Sequence, residues 1–352
     1  MNAANAQSLL TITSIAKQTG LEESLLRFYE SEYPDRLPEK VLRGDALLFP
    51  EEAVDAFLQI HRGRTSAAPL QQPTIRQKTS YGRVIAVTSG KGGVGKTNIA
   101  LNLAITMQRL GKMCVVVDGD LGMANIHLLA GLDPRPGMME LIAANASPAD
   151  LIADGPEGIG IITGGSGIIA LADSDQANRR KMIKALGEVE RLADVIIVDT
   201  GAGMGNGVRD FLKAADEILF VITPDITSLA DAYGLLKGIT QESEVADHRP
   251  LYSVVNMADT LQQAANVALR FSDCAHRFLS REIKNIGYIL KDATVGGATA
   301  RRTPYSVFRP EARVSKHTHN LAVALLRDEM NELHVTSAFG RYQKMLTQGS
   351  KP

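Results

Sequence analysis

The stretch Gly90-Lys91-Gly92-Gly93-Val94-Gly95-Lys96-Thr97-Asn98 gathers the residue types that hold phosphate. Glycines let successive backbone N–H groups curl around phosphate oxygens, and the helix that follows adds the positive end of its dipole. Lys96 can then reach β- and γ-phosphates, and the Thr97 hydroxyl can ligate Mg2+. A loop around one nucleotide already has its lysine, so Lys91 is surplus and points to phosphate from elsewhere. Two carboxylate motifs complete the set. VVVDGDLGMAN carries Asp118 and Asp120, and VIIVDTGAGMG carries Asp199 before a glycine-rich segment. An Asp ending a buried strand near a phosphate loop is the usual Mg2+ partner, often through water.

Such residues need strand ends to sit on. From Arg83 onward, VIAVTS, MCVVVDG, GIGIITG, DVIIVDT, EILFVIT, LYSVVNM and NIGYIL alternate with helical stretches. Runs apolar on both faces suit buried parallel strands, and the intervening lengths suit crossover helices. The pattern predicts a doubly wound, mostly parallel α/β sheet of about seven strands, with the loop and carboxylates at strand ends where such sheets bind ligands. RVIAVTS supplies the strand before the loop, and TNIALNLAITMQRLG an amphipathic helix ending at Gly111.

The 352 residues suffice for one large domain and a smaller one. A net charge of -1 gives no global pull on nucleic acid, so any such contact needs a local patch. Cys114 and Cys274 stand far apart without a CxxC, which argues against zinc, iron–sulfur and disulfide scaffolds and fits a reducing cytoplasm. No run approaches the ~18 apolar residues of a membrane span, and no basic-then-apolar leader opens the chain. Four segments are expected: a small helical domain over 1–62, a Pro/Gln/Ser-rich linker over 63–81, the sheet domain over 82–330 and a tail over 331–352.

KGGVGKT resembles the deviant Walker A motif of the MinD/ParA ATPases, in which the first lysine reaches across a nucleotide-sandwich dimer. The resemblance covers roughly residues 83–330 and implies slow, partner-stimulated ATP hydrolysis with Mg2+. It implies that Asp120 orients the attacking water, that Thr97, Asp118 and Asp199 serve the metal, and that Asn125 and Gly203 belong to two switch segments. It further implies that Asn256 reads the adenine edge and that Asp231 lies near a regulator-facing helix. DGDLGMANIHLLAGL, VDTGAGMG, TPDITSLADAYGLLK and IKNIGYILKD look like the flagellar-number regulators, FlhG/FleN-like proteins, more than cell-division MinD. Plasmid ParA proteins show Pro-Gln-Gly where Leu121, Gly122 and Met123 stand here. Relatives often carry Pro after the last strand, where this chain has Leu290 and Lys291 before Asp292. The partners implied are a second copy in the ATP state and a regulatory protein of the kind that flagellar regulators meet.

LLTITSIAKQTGLEESLLRFYESEYP reads as helix-turn-helix, with Thr13 or Ser14 as cap, Gly20 at the turn and a second helix from near Glu22. LLRFYE is similar to the opening of MerR-like regulators, which implies that Arg27 and Tyr29 touch DNA phosphates and that Arg43 and Gly44 form a wing hairpin. Glu22, Glu23, Glu30 and Glu32 make the recognition helix acidic, and protein docking stands as the alternative. In the tail, Phe339, Tyr342, Met345 and Leu346 share one helical face beside Arg341 and Lys344. That face suits either peripheral membrane contact at the inner leaflet or packing on its own domain. The same alternatives place the protein in the cytoplasm, at the membrane face or on the nucleoid.

Overall fold

The structure, a computed structural model, describes residues 9–21, 23, 26, 30, 36–38, 40–43, 46–65, 81–120, 125–133, 147–164, 176–241, 249–327 and 337–348. Arg27, Tyr29, Gly44 and Leu121 to Met123 lie outside them. The chain divides into two compact units, Met1–Ile75 and Arg76–Pro352.

In the first unit β1 (Leu9–Leu10) and β2 (Val41–Arg43) flank β3 (Ala46–Pro50), both antiparallel, and Arg43 pairs with Ala46 across the hairpin. The cap of α1 (Ile12–Thr19) is Thr11, whose hydroxyl accepts from Ser14 N at 3.2 Å; Thr13 and Ser14 do not serve. Thr11 wins because it precedes Ile12, and Ile12 and Ile15 then face inward. Gly20 ends the helix at φ 71°. Glu23, Leu26 and Glu30 are helical. A core of Ile12, Ile15, Leu26, Phe49, Phe57 and Ile60 closes under α2 (Glu52–Thr65), which runs past Arg62, where the first domain was expected to end.

The second unit holds a sheet in the order β11-β10-β9-β4-β8-β5-β7-β6. Its strands are β4 (Arg83–Ser89), β5 (Cys114–Gly119), β6 (Ala153–Asp154), β7 (Gly160–Ile162), β8 (Val195–Ala202), β9 (Glu217–Ile222), β10 (Leu251–Ala258) and β11 (Lys284–Leu290). Neighbours run parallel except for β6, which pairs antiparallel with β7. The seven expected strands are thus joined by a two-residue edge strand, too short to leave a period in the sequence.

The described helices are α3 (Lys96–Arg109), α4 (Ile126–Leu129), α5 (Pro148–Leu151), α6 (Gln176–Val189), α7 (Asn206–Ala214), α8 (Ile226–Gln241), α9 (Leu261–Leu279), α10 (Ala293–Ala300), α11 (Tyr305–Phe308), α12 (Arg313–Arg327) and α13 (Ala338–Gln348). Val84 and Ala86 of β4 join one core with residues of α6 to α9, while Ile85 and Val87 join the other with α3 and α12. Two covered faces explain why the strand runs are apolar throughout. Buried Arg83 ties the layers together: it forms a double ion pair with Glu217 of β9 and donates to Leu325 O of α12 at 2.9 Å. The sheet order reverses at β4, between β8 and β9, and opens a crevice above their C-terminal ends.

Of the two expected uses of the tail helix, packing on its own domain accounts for Phe339 and Tyr342, which are buried in the core beside α6 and α7; the side chains of Met345 and Leu346 lie outside those described. Glu190 receives the start of α13, accepting from Ser337 Oγ, Ala338 N and Phe339 N at 2.8–2.9 Å. Tyr342 Oη donates to Asp210 of α7 at 2.5 Å, and Arg341 pairs with Asp216.

Burial raises the Glu190 carboxyl to about 7 despite those donors. A carboxyl whose folded value lies above its unfolded one stabilises the fold at low pH, and that contribution fades as pH rises through about 7. The melting temperature should therefore fall between pH 5 and 8 more steeply in the unsubstituted protein than in Glu190→Gln. Parallel pH profiles of the two would contradict the assignment.

Candidate active site

β4 delivers the chain to the loop, and α3 carries it away. Gly93 and Gly95 adopt φ 76° and 91°, values that side chains resist, so these two positions need glycine for their backbone. Gly95 is the N-cap of α3 and supplies no side-chain cap, which leaves the first helix N–H groups to a ligand. A Cβ on Gly92 would meet nothing within 4 Å, whereas one on Gly90 would overlap the backbone of Asp231 and Ala232 on α8. Gly90 therefore brings the loop against α8, a role its motif position did not announce.

Below the loop, Lys96 is buried at 8% exposure and lowers the nearby Asp199 carboxyl electrostatically. Asp118 and Asp199 are Cα partners on β5 and β8, so two buried carboxylates stand side by side. Burial pushes Asp118 up to about 8, and Asp199 raises it further; burial likewise pushes Asp199 up to about 7, against the Thr97 hydrogen bond and Lys96. Asp118 accepts from Asp120 N at 3.2 Å and Ile126 N at 3.1 Å, which fixes the turn into α4. Asn125 occupies the N-cap position of α4 without capping it. The Asp120 carboxylate lies 3.6 Å from where a Cβ on Gly201 would be, facing the end of β8. Gly203, at φ 82°, donates its N–H to Ser89 O at 3.1 Å.

Asp199 Oδ1 is buried and makes no hydrogen bond. An orphaned carboxylate oxygen beside Thr97, under a loop of free N–H groups, fits a hard divalent cation of the Mg2+ kind.

On the other side of α3 a cavity of about 390 Å3 is lined by Gly95, Asn98, Asn256, Met257, Asp292 and Tyr305, among others. Asn256 Nδ2 donates to Val94 O at 2.8 Å. A carbonyl only accepts, so this bond fixes the amide's orientation and keeps Oδ1 as its acceptor. Leu290, Lys291 and Asp292 line the cavity; Lys291 N donates to Ala258 O at 2.9 Å and Asp292 caps α10.

Lys91 stands apart from this cluster. Its Nζ pairs with Asp225 and donates to Thr227 Oγ1 at 2.7 Å, just before and within the first turn of α8. That contact holds Asp225 below the usual carboxylate range. Sequence reasoning missed both partners, although they lie within TPDITS. Arg43 belongs to the other unit.

An AAA domain family matches residues 82–248. Antiactivator FleN of Pseudomonas aeruginosa is 35% identical over 234 residues, 66% of this chain and 82% of that protein. The chain is a MinD/ParA-family ATPase of the FleN branch. Flagellum site-determining protein YlxH of Helicobacter pylori, a further relative, is 31% identical over 59% of this chain and 69% of its own. MinD of Pyrococcus horikoshii, solved with Mg-ADP, shares the fold at a TM-score of 0.58 and 22% identity, covering 71% of this chain and 98% of that one. The phosphate loop, Thr97 and the unbonded Asp199 Oδ1 suit a nucleotide carried with Mg2+. When bound, Mg2+ neutralises charge between the phosphates and the carboxylates.

The two glycines give a test. Gly90→Ala should cost about 1–3 kcal/mol of stability through overlap with α8, and Gly92→Ala within about 0.5 kcal/mol. Urea denaturation reads both, and equal midpoints would remove the close-approach argument.

Proposed function

We propose that the chain is an ATP-driven dimerisation switch that sets the number or placement of flagella through partner proteins. The observation that carries this reading is Lys91: a second lysine, beside a complete phosphate cradle, lying outside it. Its pair with Asp225 is 40% and 46% exposed and screened by water, so it can be exchanged for a phosphate on a second copy. Ile226, Met257 and Leu261 add support, since they expose apolar surface at or just beyond the C-terminal ends of β9 and β10, the same end of the parallel strands from which β4 enters the loop. A twofold pairing there would cover both the apolar residues and the nucleotide.

Within one copy, Lys96 and the N–H groups of Gly92 to Asn98 bind phosphate. Thr97, Asp118 and Asp199 hold the metal shell, and Asp120 orients the attacking water. Asn125 and Gly203 respond to the γ-phosphate. Asn256, with Oδ1 left to accept, suits a purine with an amino group at position 6 and disfavours one with a carbonyl there. Asp231, exposed on α8, lies on the surface offered to a regulator. The names of the FleN and YlxH relatives support the flagellar assignment.

Three substitutions separate these roles. Lys91→Ala should weaken pairing with a non-hydrolysable ATP analogue and leave nucleotide binding largely intact. Lys96→Ala should lose pairing. Asp120→Ala should still bind and pair, with turnover reduced roughly 10²–10⁴-fold. Light scattering and phosphate release measure them. A dimer indifferent to nucleotide, or an unchanged rate in Asp120→Ala, would overturn the respective assignment.

The β2–β3 hairpin with Arg43 at its turn favours a second reading, in which the first unit touches DNA. Arg27 and Tyr29 would share the phosphate contacts. Fluorescence anisotropy of the full chain on upstream DNA should then show salt-dependent binding, with a shallower salt slope for Arg43→Ala. Absence of binding near physiological salt, with and without ATP, would leave protein docking as the role of this unit.

A further inference from the structure

Helix α8 is touched by the nucleotide machinery at three points. Gly90 of the loop presses on its backbone at Asp231 and Ala232. Asp225 and Thr227, at its start, hold Lys91. The third point lies about two turns beyond Asp231. A Cβ on Gly238 would come within 2.7 Å of Met204 Sδ and closer still to Cε, so the thioether end of Met204 occupies the space that Gly238 leaves open. Gly234, one turn earlier, faces nothing within 4 Å, which makes the notch at Gly238 local.

Met204 adjoins Gly203, whose N–H is bonded to Ser89 O at the mouth of the loop. The Met204 carbonyl accepts from Arg209 Nε of α7 at 3.0 Å. The residue is thus held at both ends, side chain in α8 and carbonyl on α7, directly beside a glycine that can turn its N–H elsewhere.

We propose that Met204, seated in the Gly238 notch, is the positioning residue that couples Gly203 to α8 and thereby sets the hold of Asp225 on Lys91. The proposal rests on the dimerisation reading for its purpose, and on the contacts alone for its coupling. Movement of the Gly203 N–H from Ser89 O to a γ-phosphate draws Met204 from the notch. Helix α8 then loses its anchor on the switch, and Asp225 and Thr227 release Lys91. Methionine suits the task, being unbranched and adaptable. Glycine at 238 costs helix propensity relative to alanine, a cost the notch accounts for.

The test uses Gly238→Ala, which fills the notch, Met204→Ala, which removes the key, and the double variant. Acylation of the intact full chain, followed by digestion and mass spectrometry of the peptide that carries Lys91, reports the hold of Asp225 in the monomer. Without nucleotide, each single variant should label Lys91 about two- to fivefold faster than the unsubstituted protein, the factor expected for an exposed ion pair. The double variant should match the singles, because both act on one contact. Helix content and melting temperature should stay near those of the unsubstituted chain. Unchanged Lys91 labelling in both single variants, or additive effects in the double, overturns the coupling. Failure of the unsubstituted protein to pair with an ATP analogue, measured by light scattering on the same preparations, would instead overturn the dimerisation reading and leave the labelling result to stand.

Discussion

Asp118 and Asp199 sit opposite each other on adjacent parallel strands, both buried, and the rest of the site follows from that placement. Like charges in cross-strand register are unfavourable, and burial compounds the cost. Their raised pKa values, about 8 and about 7, express it. The fold offers partial relief through Lys96, Thr97 and the backbone N–H groups of Asp120 and Ile126, and leaves Asp199 Oδ1 unbonded. Such a pair between apolar strands suits the cation proposed to lie there. The strands β5 and β8 supply the carboxylates, and β4 beside β8 places the phosphate loop next to them. Nucleotide chemistry thus arises from one strand order and two residues that no core would otherwise retain.

How much of this was legible in the sequence varies with the range of the interaction. The phosphate loop, the strand-end carboxylates and the doubly wound sheet could be read because each depends on a local run: glycines before a helix, or an apolar run ending in Asp. Adjacency in space is what a linear reading loses. Glycine at position 90 looks like its neighbours in the motif, yet its reason is a helix about 140 residues away. Asp225 and Thr227 lay inside a quoted segment, but nothing in TPDITS says that a lysine in the loop returns to it. The cap of α1 is Thr11 rather than Thr13 or Ser14 for a smaller reason: three hydroxyl residues lay close enough to serve, and inward packing of Ile12 chose among them. The tail shows the same limit. Its helical period says that one face is covered, and only Glu190, far back in the chain, says by what.

Two ion pairs divide what is fixed from what moves. Arg83 and Glu217 are 2% and 9% exposed, locked bidentate, and join β4 to β9 with α12 bonded on top. Removing either partner would strand a buried charge, which costs several kcal/mol. Lys91 and Asp225 are 40% and 46% exposed and are screened by water. Their pair belongs to the solvated class that adds little to stability. Both pairs link the strand–loop unit of β4 to the β9–α8 segment, one at the base of β4 and one beyond its tip. A strong anchor below and a weak one above let the tip rearrange without disturbing the sheet. For a switch that must reset, the weak pair has to remain weak: a buried Lys91–Asp225 contact would hold the lysine against any phosphate a second copy could offer.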